Sequence, residues 1–288
     1  MSARLDKIEG DREGFDENWK KRDETTYIHW TRGEPKNQIQ LAFRNHWDLF
    51  NEIMGKDFSG RRALEVGCGR GSMSAYFADN DFDCTLLDYS AEAIETAKRI
   101  FAAHKLNAKF DVGDALDLPY EDNSFDVIYS IGLLEHFEDI EKLLSEQIRV
   151  LDSKGLFLGY VVPHYNENVQ KDYKWINDLL KTYAEKQSDQ NIPKKADIFR
   201  SDYGSERYID VLNKLPVNNI SASGVYPLPM ISHSIEFPFT LLAENQEAIL
   251  IDRFNKMLAE RKTQNPNQHP WLCEEGYGQA FLLWCFKN

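Results

Sequence analysis

The sequence predicts an α/β protein built on one mostly parallel sheet of seven strands, with helices on both faces. Two observations predict it. Between residues 61 and 163, short apolar runs alternate with segments whose apolar residues recur at helical spacing. The first of these runs ends in "LEVGCGRG", where three glycines at alternate positions are typical of a tight turn between a strand and a helix. Strand–helix alternation of this kind favours a parallel sheet covered on both faces.

The predicted elements follow in order along the chain. A helix over residues 37–54 carries Ile39, Phe43, Trp47 and Phe50 at helical spacing. Strands are predicted at 62–66, 83–88, 108–112, 125–130 and 156–162, with helices at 71–79, 90–104 and 139–151. Beyond them we predict a helix over 205–214, a strand over 219–226, a helix over 241–262 and a last strand in "GQAFLLWCFK".

Three segments fall outside the sheet pattern. Residues 1–58 are predicted to form an N-terminal helical segment that acts as a lid, and residues 59–288 form the main domain. Inserts at about 164–204 and 230–275, around the fifth to seventh strands, are long enough to build the wall of a binding site.

Composition and charge narrow the function classes. The net charge of −13 and the pI of about 5.1 argue against a nucleic-acid binder, which normally has a basic surface. No apolar run is long enough to cross a membrane, and the charged N-terminus lacks the apolar core of a signal peptide. The four cysteines form no C-x-x-C pair, so we expect reduced thiols, no metal site and a cytoplasmic location.

The glycine turn itself indicates a class of ligand. A dinucleotide fingerprint, G-x-G-x-x-G, would need a glycine at position 72, but Ser72 is there and the third glycine is Gly71. An acid, Glu65, precedes the turn, and a carboxylate attracts a cation where it would repel a pyrophosphate. The turn therefore predicts a nucleoside that carries a positive group.

Carboxylates also end the next two strands. Asp88 ends the second strand, where it can accept hydrogen bonds from ribose hydroxyls, although it could instead cap the following helix. Asp114 follows the third strand, where it could accept from an adenine amino group or shape a turn. The fourth strand ends near Ser130 and Ile131. These residues should meet at one edge, because the carboxyl ends of parallel strands lie together.

Five motifs in this order carry a family resemblance. They are "LEVGCGRG", "LLDYS", "GDALDLP", "FDVIYSIGLLEHF" and "RVLDSKGLFLGY". Together they resemble the successive motifs of the class I S-adenosylmethionine-dependent methyltransferases, in the branch that acts on small molecules. The resemblance covers about residues 60–163 and the element order beyond, and it implies a Rossmann-like fold.

The resemblance also implies cofactor roles at the ends of the first four strands. Glu65 would anchor the turn and the methionyl ammonium side of S-adenosylmethionine. The other implied contacts are Gly67, Cys68, Gly69 and Gly71 along the methionyl and ribose groups, Asp88 and Tyr89 at the ribose, Asp114 and Ala115 at the adenine, and Ser130 and Ile131 over the methionyl end.

Six further residues are candidates for the chemistry, for the acceptor site and for cover over the cofactor. His136, in "LLEHFED", is the candidate base, with a packing role at the start of a helix as the alternative. In "TYIHW", Tyr27 and His29 would contact the substrate and Trp30 the cofactor, or the aromatic residues would simply pack the N-terminal segment onto the core. His164 and Tyr165 follow the fifth strand and would face the acceptor.

The sequence thus predicts an enzyme that methylates oxygen, nitrogen or sulfur of a small metabolite or natural-product intermediate and yields S-adenosylhomocysteine. Expected partners are that small-molecule acceptor, no nucleic acid and no membrane, in a monomer or homodimer. The "DPPY" signature of nucleic-acid base methylation is absent, since the equivalent place reads "SIGL". A protein or RNA methyltransferase, and a binding protein without catalysis, stay open as alternatives.

Overall fold

The computed structural model describes residues 29–56, 58–163, 199–225, 243–278 and 280–288. The predictions for Tyr27, His164 and Tyr165, and those for most of the insert at 164–204 and part of that at 230–275, lie outside the described residues. The described part of the chain folds into six α-helices and one eight-stranded sheet.

The helices and strands have the following bounds. The helices are α1 Gln38–Met54, α2 Ser72–Asp79, α3 Ala91–His104, α4 Ile140–Val150, α5 Ser205–Leu212 and α6 Glu244–Gln264. The strands are β1 Arg62–Val66, β2 Asp83–Asp88, β3 Lys109–Val112, β4 Phe125–Ile131, β5 Leu151–Val161, β6 Val217–Val225, β7 Leu272–Cys273 and β8 Ala280–Lys287. Short 3₁₀ helices span Leu134–His136 and Glu275–Tyr277.

The sheet has the strand order β3-β2-β1-β4-β5-β8-β6-β7. Strands β1 to β5 pair in parallel, and β8 runs antiparallel between β5 and β6. This confirms the predicted fold class. The eighth strand is the two-residue β7, which pairs with the end of β6. It is too short to show a period-two pattern, so the sequence predicted only seven strands.

Helices cover both faces of the sheet and form two cores. On one face, α1, α2, α3 and α6 bury their apolar residues against the strands; on the other face, α4 and α5 do so. Phe50 of α1 lies 6.3 Å from Tyr129 of β4, and Phe77 of α2 stacks on the same tyrosine at 4.3 Å. The N-terminal helix is therefore an integral layer of the main core.

Both ends of α1 are fixed by specific contacts. The Asn37 side chain accepts a hydrogen bond from the Gln40 amide, and Gly55 ends the helix with a φ of +73°. The Gln38 amide donates to the buried carboxylate of Glu247 in α6 at 2.8 Å. These bonds satisfy amides at the helix N-terminus that have no partner within the helix.

The start of the fifth strand corrects the sequence prediction. The prediction began it at residue 156 and continued the preceding helix to 151, but β5 begins at Leu151. Leu151 already pairs with Phe125, and the register then shifts before Leu156 pairs with Val127. Lys154 has a φ of +64° in this irregular stretch, which hides the strand pattern.

None of the helices in the described ranges has the length and apolar character needed to cross a membrane.

Candidate active site

The glycine turn after β1 depends on glycine for its backbone conformation and for its packing. Gly67, Gly69 and Gly71 have φ values of +71°, +52° and +70°. A Cβ atom on Gly67 would lie 2.6 Å from Leu133 Cδ1, and one on Gly71 would lie 2.5 Å from Leu86 Cδ2. The space beside these two glycines is thus filled by the protein's own leucines, a reason for glycine that sequence reasoning missed.

Asp88 fastens this turn to the end of β2. Its carboxylate accepts hydrogen bonds from the Gly69 amide at 2.8 Å and from the Ser90 amide at 2.9 Å. Helix α3 is capped instead by the Ser90 hydroxyl, which accepts from the Ala93 amide. The carboxylate therefore lies at the carboxyl edge beside the glycine turn, where the ribose was predicted to bind.

Cys68, inside the turn, is buried, and burial raises the pKa of its thiol well above the usual value. A thiol with a raised pKa carries little thiolate and is a poor nucleophile.

Glu65 is buried beneath the turn and is held by two residues that the sequence did not single out. Its Oε2 atom accepts from the Ser74 amide at 3.1 Å and from the Ser74 hydroxyl at 2.5 Å. The same hydroxyl lies 2.7 Å from the Tyr129 hydroxyl. Burial raises the pKa of Glu65 to about 8, against smaller opposing effects of its hydrogen bonds with Ser74. Tyr129 is opposite Glu65 in the β1–β4 register, which parallel pairing could have indicated.

The third strand contributes a polar turn and an apolar surface. Asp114 Oδ1 accepts from the Leu116 amide at 2.9 Å, and the neighbouring Ala115 is buried. Tyr89 and Val112 expose 52% and 55% of their surfaces. Val112 pairs with Asp88 in the sheet, so these two apolar side chains lie at the same edge as the ribose candidate.

Helix α4 clamps the loop that follows Asp114. Arg149 donates to the Leu118 carbonyl at 3.0 Å and to the Tyr120 carbonyl at 2.8 Å. Glu146 Oε2 accepts from the Leu118 amide at 2.9 Å and from Arg149 at 2.8 Å. The loop between β3 and β4 is thereby fixed by a charged pair on a helix, another contact that local sequence patterns do not reveal.

The end of β4 brings Ser130 and Ile131 to the same edge. Ser130 is fully buried, and within the described chain its hydroxyl has no hydrogen-bond partner. Gly132 follows with a φ of +67°, and its amide donates to the Tyr160 carbonyl of β5. The chain therefore turns sharply above the ends of β4 and β5.

His136 and Glu135 lie under this turn. His136 Nδ1 is 2.6 Å from the Phe199 carbonyl, so Nδ1 carries the proton and Nε2 is the accepting nitrogen of the neutral ring. Burial lowers the pKa of His136 to about 4. The Glu135 carboxyl is fully buried with Oε1 3.9 Å from His136 Nε2, and burial raises the pKa of Glu135 to about 7.

Residues 29 and 30 lie against the helix that begins at the glycine turn. His29 Nδ1 is 2.6 Å from the hydroxyl of Ser72, the first residue of α2, and the His29 ring stacks on Phe43 at 4.8 Å. Trp30 is buried and lines a small crevice with Arg70 and Gly71. The structure thus brings two of the predicted lid residues next to the turn.

Comparison with known proteins agrees with the motifs. Residues 64–159 match the family described as methyltransferase domain. Ajmaline N-methyltransferase of Rauvolfia serpentina is 43% identical over 96 residues, which cover 32% of this chain and 33% of that protein. Chloroplastic tocopherol O-methyltransferase of Arabidopsis thaliana is 34% identical over 171 residues, which cover 54% of this chain and 49% of that protein. The matches thus span a third to a half of these relatives.

The fold is also that of a solved structure. The crystal structure of the YcgJ protein from Bacillus subtilis aligns with a TM-score of 0.53 and 21% identity, covering 85% of this chain and 99% of that one. Residues 64–159 thus form a methyltransferase domain, and the ordered motifs and the shared fold support a class I S-adenosylmethionine-dependent methyltransferase.

Proposed function

We propose that this protein is an enzyme that binds S-adenosylmethionine and transfers its methyl group to oxygen, nitrogen or sulfur of a small molecule. The observation that carries the proposal is the position of Asp88, Asp114 and the turn after Ser130. They lie at the carboxyl ends of β2, β3 and β4, which flank β1 in the order β3-β2-β1-β4, so they lie on both sides of the glycine turn after β1. Ligands of open parallel sheets bind at this edge.

The residues present fit the cofactor. The Asp88 carboxylate accepts from the Gly69 and Ser90 amides beside the glycine turn, where ribose hydroxyls would be within its reach. Tyr89 and Val112 offer exposed apolar surface for a planar base. The buried Ser130 hydroxyl lacks a partner among the described residues, as expected of a group that a ligand would satisfy. When bound, the cofactor supplies a methyl group activated on a sulfonium ion.

The remaining cofactor contacts follow the glycine turn and the next strands. The methionyl and ribose groups would lie along Gly67, Cys68, Gly69 and Gly71. Ala115 would contact the adenine beside Asp114, and Ile131 would cover the methionyl end. Glu65 would anchor the turn near the methionyl ammonium.

The chain's own groups would position the acceptor and exclude water. His136 is neutral at physiological pH, so Nε2 can accept a hydrogen bond from a hydroxyl or amine of the acceptor. Its lowered pKa makes a lasting imidazolium unfavourable, which favours an orienting role over that of a strong base. His29 and Trp30 lie beside Ser72 and Gly71, where Tyr27 would extend the same cover over the site.

A small-molecule acceptor is supported by the named relatives, an N-methyltransferase of ajmaline and an O-methyltransferase of tocopherol. The net charge of −13 also disfavours a nucleic-acid substrate. His164 and Tyr165 would contact that acceptor, since they follow β5 at the same edge. We further propose a monomer or homodimer in the cytoplasm, supported by four free cysteines.

The test is incubation of the protein with S-adenosylmethionine labelled in its methyl group and, separately, with small-molecule, protein and RNA fractions of a cell extract. We expect label in the small-molecule fraction only. Label in the protein or RNA fraction would favour a macromolecular methyltransferase. Cofactor binding without label in any fraction would favour a binding protein.

A further inference from the structure

Glu135 is the most unusual polar group that the proposed function leaves unused. Its side chain is fully buried, and neither carboxyl oxygen makes a hydrogen bond of good geometry within the described chain, although the backbone amides of Glu135 and Val162 lie close to it. A buried carboxylate without partners is costly, so the group is expected to hold a proton in the ligand-free protein. Such groups are enriched at functional sites.

The position of this carboxyl places it next to the reaction site. Oε1 lies 3.5 Å from the place where a Cβ of Gly132 would be, directly under the turn after Ser130 and Ile131. It also lies 3.9 Å from His136 Nε2, the accepting nitrogen of the ring. Burial raises the pKa of Glu135 to about 7, against smaller opposing effects of the Arg200 guanidinium and of the Glu135 and Val162 backbone amides.

The groups that face Glu135 come from three places. His136 is the next residue in the chain. Arg200 precedes Ser201, whose amide donates to the Glu135 carbonyl, and its positive charge favours the carboxylate. Tyr208 of α5 is close enough for Glu135 to contribute to the raised pKa of its hydroxyl. Arg200 is the cation among these groups and favours the carboxylate, whereas burial favours the protonated form. A second cation arriving above the Ser130–Gly132 turn would shift that balance toward the carboxylate.

We propose that Glu135 is the proton store of the site: it releases a proton when the cationic S-adenosylmethionine binds, and it recovers one when the acceptor loses its proton. This inference rests on the proposed function. During transfer the acceptor lone pair forms the new bond to the methyl carbon, and the carbon–sulfur bond pair stays on sulfur. The acceptor proton moves to His136 Nε2, which holds it only transiently because its pKa is low, and then to the Glu135 carboxylate, whose Oε1 lies 3.9 Å away. The carboxylate is again the favoured protonated form once the sulfonium charge is gone.

The proposal predicts a difference between two ligands that differ in charge. Binding of S-adenosylmethionine should release a fraction of a proton from Glu135 near neutral pH, because the arriving positive charge favours the carboxylate. Binding of the uncharged-sulfur product, S-adenosylhomocysteine, should release none from Glu135. Affinity for S-adenosylmethionine should therefore rise with pH between 6 and 8 relative to affinity for the product.

The experiment is isothermal titration of the full chain with each ligand, in buffers of different ionisation enthalpy, for wild type, Glu135→Gln and Glu121→Gln. Glu121 is an exposed carboxylate in the loop between β3 and β4 and serves as the matched control. The ligand's own amino group contributes equally in all three proteins. We expect Glu135→Gln to keep its affinity for S-adenosylhomocysteine and to lose the extra proton release with S-adenosylmethionine.

Three outcomes decide the matter. Loss of the extra release in Glu135→Gln alone supports the proposal. Equal proton release for both ligands, or release that persists in Glu135→Gln, overturns it and points to another group such as Glu65. Failure of wild type to bind either ligand would overturn the proposed function itself.

Discussion

At the scale of single residues, His46 lies in an environment that strongly disfavours a charge. It lies in α1 with 1% of its surface exposed, and its ring is 4.6 Å from the Tyr160 ring and 5.6 Å from the Trp271 ring. Neither ring nitrogen has a hydrogen-bond partner among the described residues. Burial, with a smaller contribution from His269, lowers the pKa of His46 to about 3.

This environment predicts acid sensitivity. Between pH 6.5 and 3 the unfolded chain binds a proton at His46 that the folded protein does not, so stability falls as pH falls through this window. The loss from pH 7 to pH 4 is about 3 kcal/mol. His46→Phe keeps a ring and removes the titration, so urea unfolding at the two pH values should show a smaller loss than in wild type. Equal losses in both proteins would contradict the assignment.

Single residues also show how much of the candidate site could be predicted from the sequence. The acidic residues of the proposed cofactor edge, Glu65, Asp88 and Asp114, could be chosen from the sequence because each lies at or next to the end of a recognisable strand. The contacts of Ser74 with Glu65, of Leu133 with Gly67 and of Phe199 with His136 could not, because they form only through tertiary packing. The pKa directions of Glu65 and His136 depend on that same burial and were equally out of reach.

At the scale of elements, the contact between α4 and the loop after β3 is the feature with the clearest consequence. Arg149 and Glu146 together make three hydrogen bonds to the backbone of Leu118 and Tyr120. The loop starts at Asp114, the candidate adenine residue, so the clamp fixes one side of the site.

Arg149→Met should therefore destabilise the fold and loosen this loop. We expect a loss of about 1–2 kcal/mol in the free energy of unfolding, the range for charged hydrogen bonds with partial exposure. Hydrogen exchange should rise at residues 116–121. The control is Lys214→Met, which removes an exposed ion pair with Glu141 on the same helix and should leave stability almost unchanged. An equal loss in the free energy of unfolding for both substitutions would contradict the claim that Arg149 fixes the loop after β3.

Elements were predicted well where a cap or a strict period marks their ends. Ser90 caps α3 and Asp139 caps α4, and both helices begin within one residue of the prediction. The prediction was wrong where pairing with a distant strand decides the structure. The sequence predicts that Leu151 ends a helix, but Leu151 pairs with Phe125 of β4 and is the first residue of β5.

At the scale of the whole molecule, the strand order sets where the fold is most resistant to opening. Strands β1, β4, β5 and β8 are hydrogen-bonded on both sides, whereas β3 and β7 are the edges of the sheet. Apolar cores cover both faces of the central strands. The proposed cofactor edge therefore includes two central strands, β1 and β4, which should open rarely, and one edge strand, β3, which should open more often.

Native-state hydrogen exchange should follow this order. Amides of β4 and β5 are expected to exchange with the full free energy of global unfolding, and those of β3 and β7 through smaller local openings. Mass spectrometry of peptides covering 125–131 and 109–112 would make the comparison. Equal protection of both peptides would contradict the strand order.

The central claim is that the carboxyl edge of this sheet binds S-adenosylmethionine and its product. The measurement that tests it most directly is calorimetric titration of S-adenosylhomocysteine into wild type, Asp88→Ala and Asp83→Ala. Asp83 and Asp88 begin and end the same strand, and Asp83 lies at the far edge in an exposed ion pair with Lys109.

We predict that wild type and Asp83→Ala bind alike and that Asp88→Ala binds more weakly by about 1.5–3 kcal/mol, the scale for hydrogen bonds to a charged group. Unchanged affinity in Asp88→Ala, or equal weakening in Asp83→Ala, would contradict the site.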